Sequence, residues 1–161
     1  MANVQDVAKF FIDLAQKQNQ QEIGDLMTNL RLQKLLYFAQ GWHLVRYERP
    51  LFDAPIHAWK LGPVVQEVYK VYNSNIANGI SSDARTAADA FTPEELTLLL
   101  DVAREYDRYS TFALVEKTHG TSCPWAQVKR SDVIPIPLIR QYFSNIEPLP
   151  SFDDLFSSID I

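Results

Sequence analysis

Cysteine is almost missing from this chain. Cys123 stands alone among 161 residues, so no internal disulfide can form. A domain of this length needs none, because it can bury roughly 70% of its unfolded surface. Long apolar runs are missing too. No stretch approaches the ~18 uninterrupted apolar residues of a membrane span, and the opening MANVQDVAKFF carries neither the basic leader nor the apolar core of a secretory signal. Together these features set the expectation of a reducing cytoplasm and no membrane. Low-complexity tracts and internal repeats are also absent.

Strong basic charge is the next absence. The net charge is −5 and the pI is about 5.1, which argues against a general binder of phosphate backbones, so DNA is not the expected partner. The charge is uneven, at −2 over residues 1 to 27, +3 over 28 to 72 and −6 over 73 to 161. That basic middle is the one feature pointing to a DNA-binding regulator or an acidic partner.

Catalytic signatures are equally sparse. There is no glycine-rich phosphate cradle, no GxSxG elbow and no HExxH pair. His119 and Cys123 lie four apart in THGTSCPW, but one histidine and one cysteine are half of a zinc site, and Gly120 and Pro124 oppose a shared helical face. His43 and His57 have no carboxylate at ligand-like spacing, and neither Glu94–Glu95 nor Asp153–Asp154 resembles a general acid and base. The expectation is no enzyme, no metal and no cofactor.

What the sequence does have is LRLQKLLYFAQGWHL, residues 30 to 44. At about 100° per residue, Leu32, Leu35, Leu36, Ala39 and Trp42 form one face, while Leu30, Tyr37 and Leu44 lie nearly opposite. Gln33 and Gln40 mark a narrow polar strip. A helix apolar most of the way round belongs at the centre of a domain.

The surrounding signals are mostly helical. Asn3 caps a helix carrying Val4, Val7, Phe11, Leu14 and Ala15 on one face, and Thr28 or Asn29 opens the central helix. Pro50 and Pro55 break helicity, and IHAWKL is extended enough for a short strand. Pro63 fits the first position of a helix bearing Val64, Val65, Val68, Tyr69 and Tyr72. Residues 73 to 90 read as a surface excursion with room for a strand near Ile80. TPEE at 92 to 95 is a capping box, Ser110 caps a helix ended by Gly120, and Pro137 opens the last core helix. The predicted fold is mainly α: a compact single-domain helical fold of five or six helices, one of them central and buried, with at most a two-strand β element.

Several of these stretches are recognisable as an ordered set. Leu32 to Tyr37 (LQKLLY), Ala39, Gln40, Gly41 and Trp42 (AQGW), the AWKLGPVVQEVY stretch with Ala58, Trp59, Gly62, Pro63, Val64, Val68 and Tyr69, and Thr118, His119, Pro124 and Trp125 of the TH...PW closure resemble the Panacea domain family, also described as SocA-like antitoxins or phage-associated GepA-like proteins. The resemblance runs from about residue 5 to 144 and leaves out 73 to 90 and 145 to 161. It implies an antitoxin of a bacterial or phage toxin–antitoxin system, whose partner is a cognate protein toxin neutralised by direct contact. One kind of member instead delivers its toxin to an ATP-dependent protease. No catalytic residue or cofactor is implied.

The candidate site residues fall into two groups. Leu35, Leu36, Gly41, Trp42, Pro63, His119, Pro124 and Trp125 are expected to be structural. Gly41 costs about 1 kcal/mol in a helix relative to alanine, which suggests that a backbone or a ring packs closely there. Gln33, Lys34 and Gln40, with Lys60 and the Gly62 turn, either line an exposed groove for the partner or satisfy buried carbonyls. Trp59 is an interface anchor or a core residue. The expected division is an antitoxin domain at 1–146 and an acidic amphipathic tail at 147–161. In that tail Phe152, Leu155 and Phe156 recur at helical spacing and either dock on a partner or fold back. The sequence leaves the oligomeric state open.

Overall fold

The structure, a computed structural model, describes residues 1–19, 27–75, 79–80, 86 and 89–151. Six helices and one two-stranded sheet are present among the described residues: α1 (Val4–Asn19), α2 (Asn29–Tyr47), β1 (His57–Trp59), β2 (Gly62–Val64), α3 (Gln66–Val71), α4 (Pro93–Asp107), α5 (Thr111–Thr118) and α6 (Ile136–Ser144). Short 3-10 turns come after α3 and α5. The mainly α expectation with a small β element is therefore met.

Local chemistry sets most boundaries. The Asn3 side chain accepts from the Gln5 N–H at 2.8 Å, and Thr28 accepts from the Arg31 N–H at 3.1 Å, which fixes the starts of α1 and α2. Thr92 and Glu95 close a reciprocal capping box, with Pro93 in the first turn of α4. Ser110 caps α5, which ends at Thr118 with His119 as its cap, just ahead of Gly120. Ile80 is buried, and its N–H reaches the Met27 carbonyl at 2.8 Å, but it belongs to no strand.

One helix start is corrected. Pro63 does not open a helix. It lies in β2 opposite Ala58, and α3 begins at Gln66 with Val65 as its cap. Proline lacks an N–H, which suits a strand edge as well as a first helical turn. Gly62 decides between them: its φ of 114° closes the tight hairpin and is incompatible with a helix start. The chain at 131 to 134 then lies along β1, the Ser131 N–H donating to the Ala58 carbonyl and the Ile134 N–H to the Ile56 carbonyl.

Helix α2 is the axis of the molecule. It is buried without a break from Arg31 to Leu44 and packs on α1, α3, α4, α5, α6 and β2. Gly41 is where α6 comes closest. A Cβ there would lie 2.3 Å from two carbons of the Phe143 ring. That ring is itself wedged edge-on against Trp42 and Tyr37, with centroids 5.0 and 5.3 Å away. Past α6 the chain stays on the core, with Leu149 buried and the Leu149 carbonyl accepting from Arg46 Nη2 at 3.3 Å.

Gly41→Ala tests this contact. Helix propensity favours alanine by about 1 kcal/mol, whereas forcing a methyl into a packed ring costs up to about 3 kcal/mol. The expected net loss is about 2 kcal/mol in urea denaturation. An unchanged or raised midpoint would show that Phe143 can move aside.

Candidate functional site

The polar side chains of α2 do not form an exposed strip. Gln33, Lys34 and Gln40 are at most 1% exposed, which corrects the groove expectation for all three. A buried polar group must find a partner, and each of these finds backbone on a neighbouring element. Gln40 accepts from the Leu51 N–H at 2.8 Å and donates to the Phe52 carbonyl at 2.9 Å. Gln33 accepts from the Val65 N–H at 2.8 Å and donates to Asn29, whose amide reaches the carbonyls of Tyr69 and Tyr72 at the end of α3. Arg31 donates to the carbonyls of Tyr106 and Tyr109, which neutralises the electron-rich C-terminal end of α4. Since a carbonyl can only accept, His43 places a proton on Nδ1 and donates to Arg49 at 2.7 Å.

Lys34 is the unusual member. Its Nζ donates to the Pro63 carbonyl at 2.9 Å, and no carboxylate is its partner among the described residues. Burial pushes its ammonium down to about 7. The same burial, with Lys34 and Arg130 nearby, lowers the His119 imidazole from its ordinary value.

Around this amine, three separate stretches of sequence meet. A Cβ on Gly62 would fall 2.8 Å from Thr118 Oγ1 and 2.9 Å from Lys34 Cε, so only glycine lets the hairpin close over both. The His119 ring lies 4.1 Å from the Trp125 ring, and Trp125 Nε1 donates to the Trp59 carbonyl at 2.6 Å. Trp59 is half-buried, its ring edge-on to Tyr69 at 4.9 Å. Pro124 is buried, and Cys123 donates its thiol to the Lys117 carbonyl at 3.4 Å. Among the described residues no three His, Cys, Asp or Glu side chains gather in a metal-binding arrangement. The contacts described join α2, the hairpin and the 118–125 stretch.

Comparison with known proteins places this convergence. Residues 32–126, which include the central helix, the hairpin and the 118–125 closure, match the family described as antitoxin SocA-like, Panacea domain. The chain belongs to that family. It is also similar to Antitoxin SocA of Caulobacter vibrioides (strain NA1000 / CB15N), with 34% identity over 112 residues, covering 62% of this chain and 58% of the relative. The chain thus spans less than two thirds of that relative's length. No solved structure matches it.

The Panacea motifs bring Lys34, Gly62, Pro63, Thr118, His119 and Trp125 together, and Trp59 joins them through its carbonyl. Leu35, Leu36, Gly41 and Trp42 lie in the core on other sides of α2, and Gln40 holds the 51–52 turn. Lys60 points outward from the hairpin turn. Phe152, Leu155 and Phe156 lie outside the described residues. No helix among those described is long and apolar enough to cross a membrane. Sequence reading passed over Leu61 in the hairpin turn and over Arg130, whose guanidinium lies over the Trp125 ring, with Lys129 next to it in the chain. For the two cations the signal was local charge, since residues 117 to 131 hold three bases and no acid.

The buried amine makes stability depend on pH. Between about pH 7 and 10.5 the unfolded chain holds the Lys34 proton and the folded chain does not, so unfolding takes up a proton and stability rises with pH across that window. Burial raises Tyr37 and Tyr106 above their ordinary range and Tyr142 to about 12, so the cost of ionising them comes above pH 10. His43 and His119, both lowered, act below 6.5. In Lys34→Met the rise in melting temperature from pH 7.5 to 9.5 should flatten, the slope having an upper limit of about 1.4 kcal/mol per pH unit. An identical rise in wild type and variant would assign it to another group.

Proposed function

We propose that this protein is an antitoxin that neutralises a cognate protein toxin by binding it directly. The observation that carries the reading is that the residues matching the family's motifs are consumed inside the molecule. Lys34, Gly62, Thr118, His119 and Trp125 hold the hairpin on α2, with the Lys34 amine fully buried against the Pro63 carbonyl and no three metal-ligating side chains gathered among the described residues. A protein built this way acts through its outer surface, as a rigid binder rather than an enzyme. The printed name of the Caulobacter relative, Antitoxin SocA, supports the same role. In this reading the encounter takes place in the cytoplasm, where Cys123 stays reduced.

Trp59 and Lys60 remain contact candidates. Lys34 and Gly62 serve the contact indirectly by fixing the hairpin, Gln33 by holding its exit at Val65 and Gln40 by holding the 51–52 turn. Delivery of the toxin to an ATP-dependent protease would use the same first step, toxin capture, and differs in the fate of the captured toxin.

Co-expression with the product of the adjacent gene tests the reading. Growth rescue with a stoichiometric complex on co-purification is the expected outcome. Rescue accompanied by disappearance of the toxin protein would replace direct neutralisation by proteolytic delivery, and no rescue with no complex would overturn the antitoxin role.

A further inference from the structure

The hairpin has an outer face that its internal tethers do not use. At the turn between β1 and β2, Lys60 is exposed and Leu61 keeps 49% of its surface. A half-exposed leucine at the tip of a tight turn is costly to leave in water, at roughly 25 cal/mol per Å². Beside it lies the loop that comes after α5, joined by Trp125 Nε1 to the Trp59 carbonyl and by the Ser131 N–H to the Ala58 carbonyl, both at 2.6 Å. The Arg130 guanidinium sits 3.6 Å from the Trp125 ring centroid, so the half-buried ring is capped by a cation.

Charge on this face is mostly positive. Residues 57 to 64 contribute Lys60 and no acid, and the loop contributes Lys129 and Arg130 against one exposed acid, Asp132, whose carbonyl accepts from the Ala58 N–H at 2.9 Å. Lys117 lies instead over the Tyr109 ring, 4.3 Å from its centroid. Lys60 and Lys129 make no ion pair among the described residues. On a chain of net charge −5, this local excess of cations stands out from the remainder.

We propose that the face formed by Lys60, Leu61, Trp125, Lys129 and Arg130 receives the protein partner, and that it takes an acidic segment carrying an apolar anchor. Aromatic and arginine side chains are enriched where protein interfaces bind most tightly. The flanking lysines steer an oppositely charged segment and suppress like-charged ones. The leucine is presented on a turn fixed from below by Lys34, Gly62 and Thr118, so little ordering entropy is lost when a partner covers it. This inference rests on the direct-binding reading above, and it names where the contact falls and what it meets.

The test uses the full chain and the purified product of the adjacent gene, titrated calorimetrically. Two variants are compared with wild type: Lys60→Glu with Lys129→Glu, and Leu61→Ser. All three side chains are exposed and leave the tethers intact, so thermal transitions should match wild type. A control pair, Lys9→Glu with Lys17→Glu, reverses the same charge on α1. The double reversal should weaken Kd by at least about tenfold and reduce its salt dependence, Leu61→Ser should weaken it by about fivefold, and the control should bind within about twofold of wild type. A wild-type complex that both face variants form equally well would overturn the surface while leaving the direct-binding reading intact. Absence of a wild-type complex would overturn both.

Discussion

Burial of α2 from Arg31 to Leu44 imposes a hydrogen-bond obligation on the polar side chains there, left unmet only at Tyr37 Oη and His43 Nε2, and the arrangement of the other elements depends on how that obligation is met. An unpaired buried polar group costs about 1–3 kcal/mol, a large part of a domain's net stability. Gln40 therefore holds the 51–52 turn, Gln33 and Asn29 hold both ends of α3, Arg31 holds the end of α4, and Lys34 holds β2. Apolar packing alone is non-directional. These bonds supply direction, because a shifted register of any neighbour would leave a donor or acceptor of α2 orphaned.

Lys34 shows why a lysine occupies a place where an apolar residue is the ordinary choice. The Pro63 carbonyl lies inside the packed hairpin and needs a donor, and the four-carbon stem of Lys34 reaches it across the Gly62 backbone. With no carboxylate beside it, the amine is best held neutral, and because burial has brought its pKa to about 7 the fold bears a stability cost at pH 7 that fades as the pH rises towards 10.5. Gly62 and Lys34 are thus one device. A side chain on Gly62 would collide with the stem that satisfies its neighbour's carbonyl.

Much of this framework is legible in the sequence. The all-round apolar character of residues 30 to 44 announces a buried axis, the capping residues Asn3, Thr28, Thr92 and Ser110 announce helix starts, and Gly41 announces a close contact that Phe143 supplies. The polar strip of α2 is not legible. Spacing gives the direction in which Gln33 and Gln40 point, but whether water or a backbone carbonyl waits there depends on elements up to 32 residues away. The Gly62–Pro63 pair is ambiguous for a different reason: proline's fixed φ and missing N–H suit a helix start and an edge strand alike, and only the pairing with β1 separates them. The basic face escapes because its residues come from two distant stretches, and the charge of residues 73 to 161 taken together, −6, conceals a locally positive loop.

The inward orientation of the shared motifs also separates what must stay fixed from what can vary. Lys34, Gly62, Thr118, His119 and Trp125 are coupled through contacts, so changing one disturbs the others. Lys60, Leu61 and Lys129 are exposed and share no partner with them, so their effects on stability are additive and small. Substitutions at the outer positions therefore leave the contacts of the core in place, provided the hairpin keeps its position. The buried polar tethers are what keep it there, and a surface that must discriminate by charge depends on such fixed placement, since a mobile lysine meets every acidic segment equally well.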